Sequence, residues 1–143
     1  MLYHVPDRRC ALSEMRRVLR PGGRLYAATN GRSRLREVDE LMAKLGGYLP
    51  VEHSPDRFTL ENCASQLSRC FSDLRLDRYE DSLVVTEAER VVDFVLSMNG
   101  RRRHPEGWRA AVRPLIEREL SAQNAFRITK DAGIFECMRR EPS

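Results

Sequence analysis

The stretch Ala11–Gly31, ALSEMRRVLRPGGRLYAATNG, decides the fold. Ala11, Leu12, Met15, Val18 and Leu19 recur at steps of three and four, an apolar stripe along one helical face. Asp7, following Pro6, is placed to cap the free N–H groups at the start of that helix. Pro21-Gly22-Gly23 stops it, because proline cannot continue a helix and glycine takes the left-handed turn at no steric cost. Arg24–Thr29, RLYAAT, is short and nearly continuously apolar, which predicts a parallel strand covered on both faces. Asn30-Gly31 breaks it.

Downstream, Ser33 is read as opening a second helix, with Leu35, Val38, Leu41, Met42 and Leu45 inward and Gly46-Gly47 as its stop. After a loop holding Pro50 and Pro55, Thr59 caps a third helix whose apolar face is Leu60, Cys63, Ala64, Leu67, Cys70 and Phe71. DLRLDRYEDSLVV, from Asp73, is extended. Thr86 and Glu89 have the spacing of a reciprocal capping box before a helix carrying Val91, Val92, Val95 and Leu96. Another helix follows Pro105, with Trp108, Val112, Leu115, Ile116 and Leu120 inward and Pro114 as a kink point. Two β-rich runs in AFRITKDAGIFECMRR flank Lys130-Asp131-Ala132-Gly133 and predict a hairpin. Helices alternating with about three strands give an α/β layer fold.

Length and composition set the class. A chain of 143 residues suits one domain with a real core, and 41% hydrophobic against 32% charged residues is a soluble, globular balance. No apolar run approaches the roughly 20 residues that span a bilayer, so no membrane role is expected and the cytoplasm is the default location. A net charge of +4 admits an acidic partner. The basic residues are spread along the chain, however, and nucleic acid is an unlikely partner. Arg101-Arg102-Arg103-His104, the one dense run, is either a solvated loop or a phosphate patch. Cys10, Cys63, Cys70 and Cys137 form no C-x-x-C pair, and His4, His53 and His104 stand at no metal-ligand spacing from them. No metal is expected, and Cys63 and Cys70 read as small core hydrophobes.

The opening MLYHVPD together with ALSEMRRVLRPGGRLYAATNG resembles the second half of a class I S-adenosylmethionine-dependent methyltransferase, of the small-molecule branch that includes ubiquinone- and menaquinone-biosynthesis enzymes. The resemblance is close over about the first 35 residues and loose beyond them. It implies a Rossmann-like sheet of which this chain holds the C-terminal half: about three strands with flanking helices, the last strand antiparallel. MLYHVPD resembles the end of that fold's fourth strand and the loop after it, and AFRITKDAGIFECMRR its final strand. The family seats its cofactor on a Gly-rich turn after the first strand, where a side chain would block the approach of backbone to ligand. Here Gly22, Gly23, Gly31, Gly46, Gly47, Gly100, Gly107 and Gly133 include no G-x-G pair. The expectation is a single truncated domain, residues 1–143, lacking the cofactor-binding half. S-adenosylmethionine then belongs to a full-length parent, with weak binding or none by this chain alone.

The resemblance also sets Leu2, Tyr3 and His4 beside cofactor and substrate. Leu2 and His4 become cofactor-side candidates and Tyr3 a substrate-side one. His4 is either a general base or substrate hydrogen-bond partner, or a structural histidine at the strand end. Asn30 faces the crevice where open α/β sheets bind ligands, or simply forms a turn with Gly31. Trp108 and Phe94 line an acceptor pocket or pack the core. Arg127 and Lys130 meet an acidic substrate or lie on a solvated strand. Two functions follow. One is a methyltransferase portion acting on a small-molecule methyl acceptor. The other is a non-catalytic module that forms a homodimer, or pairs with a partner, through the exposed sheet edge.

Overall fold

The computed structural model describes residues 2–45, 58–98 and 107–140. In chain order these form a short 3-10 turn (Leu2–His4), α1 (Arg8–Val18), β1 (Arg24–Asn30), α2 (Arg36–Lys44), α3 (Leu60–Leu67), β2 (Phe71–Val85), α4 (Ala88–Ser97), α5 (Trp108–Gln123) and β3 (Phe126–Arg139). The fold is α/β, with one three-stranded sheet in the order β1-β3-β2. Gly46-Gly47 and Arg101–His104, read above as a helix stop and a basic loop, lie outside the described residues. Among the described residues no helix is long and apolar enough to cross a membrane.

The chain divides into two compact units. The first comprises residues 1–34, 55–80 and 131–143, and the second residues 35–54 and 81–130. The first contains β1 whole, with the opening of β2 and the close of β3. Its core gathers Leu12 of α1, Ala27 of β1, Leu60, Cys63 and Leu67 of α3, then Phe58, Phe71, Phe135 and Cys137. Asp7 caps α1 as its sequence position predicts, accepting the Cys10 N–H at 2.8 Å. Gly22 takes φ +70° in the turn that follows the helix.

β1 pairs antiparallel with β3, from Arg24 opposite Met138 to Asn30 opposite Ala132. This corrects the expectation of a parallel strand covered on both faces. Ala27 and Thr29 are buried while Tyr26 and Ala28 are exposed, so β1 alternates. Gly31 N–H reaches Asp131 C=O at 3.0 Å and Arg139 N–H reaches Gly23 C=O at 2.8 Å. Odd-numbered residues of β1 therefore face β3 with their backbone groups. By the alternation of an antiparallel ladder, those of Arg24, Tyr26, Ala28 and Asn30 point away along the sheet's edge.

β3 is one strand, which corrects the expected hairpin at Lys130–Gly133. The buried positions are Phe126 and Ile128, then Asp131, Gly133, Phe135 and Cys137. The phase slips by one residue between Ile128 and Asp131, and that break in alternation resembles a turn when read from sequence alone.

In the second unit, Val38, Leu41 and Met42 of α2, Val91, Val92 and Val95 of α4 and Val112 and Ile116 of α5 share a core with Leu35, Phe126 and Ile128. Each such side chain contributes about 1.5–3 kcal/mol by leaving water. Ser33 does not cap α2, whose first residue follows Leu35 in a left-handed conformation, φ 64°. A β-carbon makes that conformation cost about 1–2 kcal/mol. Burial of the Leu35 side chain and its N–H bond to Thr129 C=O at 2.8 Å hold it there. The Thr86–Glu89 capping box is likewise absent, and α4 starts after Glu87. The Glu89 carboxylate is engaged instead by Arg109 and Arg113 of α5. Pro114 lies inside α5, where it forfeits one backbone bond while Val112 and Ile116 on either side are fully buried.

Candidate functional site

The resemblance directs attention to residues 2–4 and to the end of β1, all in the first unit. Leu2–His4 form a 3-10 turn rather than a strand end. Leu2 is buried in the core, Tyr3 packs half-buried against it, and His4 is exposed. The Tyr3 and His4 rings lie 4.5 Å apart, tilted by 57°. His4 thus offers an imidazole to solvent beside an aromatic face, whereas Leu2 offers only apolar surface.

The end of β1 is built around Asp131, a carboxylate only 2% exposed. Its place on β3 sets it opposite Gly31, and a Cβ on Gly31 would overlap both carboxylate oxygens and their carbon. Gly31 is required here for close approach, not for a left-handed turn. Arg78 of β2 clamps the carboxylate with two parallel bonds, Nε to Oδ1 and Nη2 to Oδ2, both 2.8 Å. Ser33 donates its hydroxyl to Oδ2 at 2.5 Å, which is where the expected helix cap is spent. Nearby, Glu61 accepts the Arg32 N–H at 3.0 Å, and Thr29 donates its hydroxyl to Phe58 C=O at 2.6 Å. The half-buried Asn30 sits at the rim of this cluster, at the last position of β1.

The electrostatics follow from these bonds. The Arg78 clamp, helped by Ser33, holds the Asp131 carboxyl below its ordinary value despite burial. Burial pushes Glu61 up more than any one contact lowers it, but its hydrogen bonds, led by the backbone N–H of Arg32, together outweigh burial and the net shift is down. Both groups are ionised near neutrality, so neither supplies a proton there. The cluster can hold the strand end and Asn30 rigid. It cannot act as a general acid.

Trp108, the third substrate-side candidate, belongs to the second unit. It opens α5 and packs half-buried against that unit's core, as does Phe94. Arg127 and Lys130 are exposed on β3. Arg127 borders a shallow pocket of about 120 Å³ with Glu37, Lys44, Glu119 and Phe126. Glu37 takes both the N–H and the hydroxyl of Thr129, the former at 2.8 Å. Burial raises its pKa, yet these bonds win and the group titrates low.

All four cysteines are free. Burial pushes the Cys63 thiol up to about 12 and the Cys137 thiol to about 11, so both stay protonated core residues. Among the described residues no three metal-ligating side chains come together. The sequence reading missed Asp131, Arg78 and Ser33. Asp131 and Arg78 lie 53 residues apart, and a lone Asp two residues before a glycine reads as a turn.

With that geometry in place, comparison with known proteins gives two findings. Residues 1–27 match a family model described as a methyltransferase domain. That span takes in the 3-10 turn, α1, the Pro-Gly-Gly turn and the first residues of β1. Among solved structures, the chain is similar to a phosphoethanolamine N-methyltransferase 2 of Haemonchus contortus, solved in complex with phosphomonomethylethanolamine and S-adenosylhomocysteine. The identity is 15% and the TM-score 0.41, over 98% of this chain and 32% of that one, so this chain spans about a third of that protein's length. No curated protein matches.

Proposed function

We propose that the chain is the C-terminal portion of an S-adenosylmethionine-dependent methyltransferase acting on a small molecule, of the ubiquinone- and menaquinone-like branch, working in the cytoplasm and not competent alone. The observation that carries this reading is the methyltransferase-domain match over residues 1–27, on the same helix, Pro-Gly-Gly and strand that decide the fold. Methyl transfer from a sulfonium demands alignment of acceptor, methyl and sulfur. In this reading the exposed His4, with Tyr3 beside it and Asn30 at the strand end, serves that alignment. Bare backbone for the nucleotide comes from residues outside this chain, since its glycines supply no G-x-G turn. Titration of the chain with S-adenosylmethionine in a calorimeter tests this. No heat of binding is expected, and micromolar affinity for the chain alone overturns it.

A second reading has its own observation, the outward backbone groups of Arg24, Tyr26, Ala28 and Asn30. An edge of that kind pairs with another strand, which suits a non-catalytic module that forms a homodimer or binds a partner. Light scattering after size exclusion decides: a dimer weakened by Ala28→Pro supports it, and a monomer at high concentration removes it.

A further inference from the structure

The first unit carries a group of arginines that neither reading uses. Arg9 of α1 and Arg69, just past α3, line a notch of about 50 Å³ with Leu12, Gln66 and Cys70. That is several times the space a single water needs. Both arginines are exposed, and among the described residues neither makes an ion pair or side-chain hydrogen bond. The Gln66 amide, by contrast, is already used: its Oε1 accepts from Arg8 at 3.0 Å and its Nε2 donates to Asn62 at 3.1 Å.

The positive charge continues past the notch. Arg140 N–H donates to Cys70 C=O at 3.4 Å, tying the close of β3 to the notch's floor. Arg16 spends Nε and Nη2 on Arg140 C=O, at 3.3 and 3.1 Å. A carbonyl satisfies hydrogen bonding without cancelling a full charge, so Arg16 leaves its cation uncompensated. Arg16 and Arg140 are thus tied by these bonds to the backbone beside the notch, and neither they nor Arg9 and Arg69 have a carboxylate against them among the described residues.

We propose that Arg9 and Arg69 form a receptor for the phosphate group of a small phosphorylated ligand, with Arg140 and Arg16 raising the local positive potential. Two guanidinium forks at one notch, unpaired among the described residues, match a dianion of three acceptor oxygens, whereas a carboxylate brings one charge and two oxygens. The apolar floor of Leu12 and Cys70 excludes water from one side of the ion, which strengthens the attraction. This inference stands independently of the methyl-transfer reading.

Cys70 provides a reporter. The full chain is alkylated with iodoacetamide at fixed ionic strength in chloride or in inorganic phosphate, and peptides bearing Cys70 and Cys10 are compared by mass spectrometry. Phosphate at twice its dissociation constant should slow labelling of Cys70 about threefold. Labelling of the exposed Cys10 should not change. Arg9→Gln with Arg69→Gln should abolish the protection, and Arg127→Gln should keep it. Because both notch arginines are exposed, the double variant should melt with the parent in chloride, which separates lost binding from lost folding. Equal rates in phosphate and chloride overturn the proposal, as does protection that survives the double variant. Protection by random-sequence duplex DNA with none by inorganic phosphate also overturns it, in favour of a nucleic-acid surface.

Discussion

The two units divide charge in opposite ways. The first carries 14 basic against 10 acidic side chains, while the second is balanced at 11 and 11. The first nevertheless stakes its sheet on one buried carboxylate, Asp131, clamped by the more exposed Arg78. The second spreads its ions over an exposed lattice in which Arg109 meets Glu89 and Asp93, and Arg113 meets Glu89 and Glu117. A buried carboxylate that loses its partner keeps its desolvation cost, whereas exposed pairs are each worth about 0–1 kcal/mol and substitute for one another. One unit should be brittle to single changes, and the other tolerant.

The sharpest way to break that contrast is Gly31→Ala. The added methyl meets a carboxylate that Arg78 and Ser33 hold in place, so a loss of about 3 kcal/mol is expected. Amide exchange should show Leu25 and Ala27 losing protection while Val92 and Ile116 keep theirs. Equal loss in both units would end the comparison. Asp131→Asn should cost about 2 kcal/mol, less than a fully buried pair because the Arg78 side chain is 41% exposed and can hydrate. Its pH dependence gives a second reading. A depressed folded pKa contributes stability that is present above the ordinary value of 3.8 and lost as pH falls through the folded one. Acid denaturation of the parent should therefore steepen below about pH 4, and the variant should lose that increment. A parallel acid profile would remove the pair from the account.

The second unit is tested by smaller effects. Ile116→Val deletes one methylene from a fully buried site and should cost about 1 kcal/mol in urea unfolding. Glu89→Gln should cost under about 0.5 kcal/mol, because Arg109 keeps Asp93 and Arg113 keeps Glu117. A loss above about 2 kcal/mol would show that this lattice is as brittle as the pair of Asp131 with Arg78.

What could be read from sequence was local. Asp7, the apolar stripe of α1, the Pro-Gly-Gly stop and the position of β1 all lie within a span whose signals come from neighbours along the chain. The valines of α4 and the 3.6-residue faces of α2 and α5 were legible for the same reason. The failures share a different cause. Ser33 looks like a helix cap until Asp131, 98 residues on, takes its hydroxyl. Glu89 looks like half of a capping box until α5 brings two guanidinium groups to it. Asp131 and Gly133 look like a turn, because nothing near them in sequence announces Arg78. Side chains with a good local use were recruited by distant partners that bind more strongly, and a one-dimensional reading has no access to those. At the candidate site, His4, Tyr3 and Asn30 were nameable from the resemblance, but the clamp of Arg78 on Asp131 at the end of β1 was not.

The seat that Gly31 makes for Asp131 also governs how faithfully the strands zip together. Were β1 to slide one step along β3 in either direction, Asn30 or Arg32 would stand where the glycine does. Its bulk would then push the acid out of the seat where Arg78 clamps it. A missing side chain thus proofreads the alignment of the sheet, rejecting off-by-one pairings that the flanking Ala27, Ala28 and Thr29 are too small and too alike to tell apart.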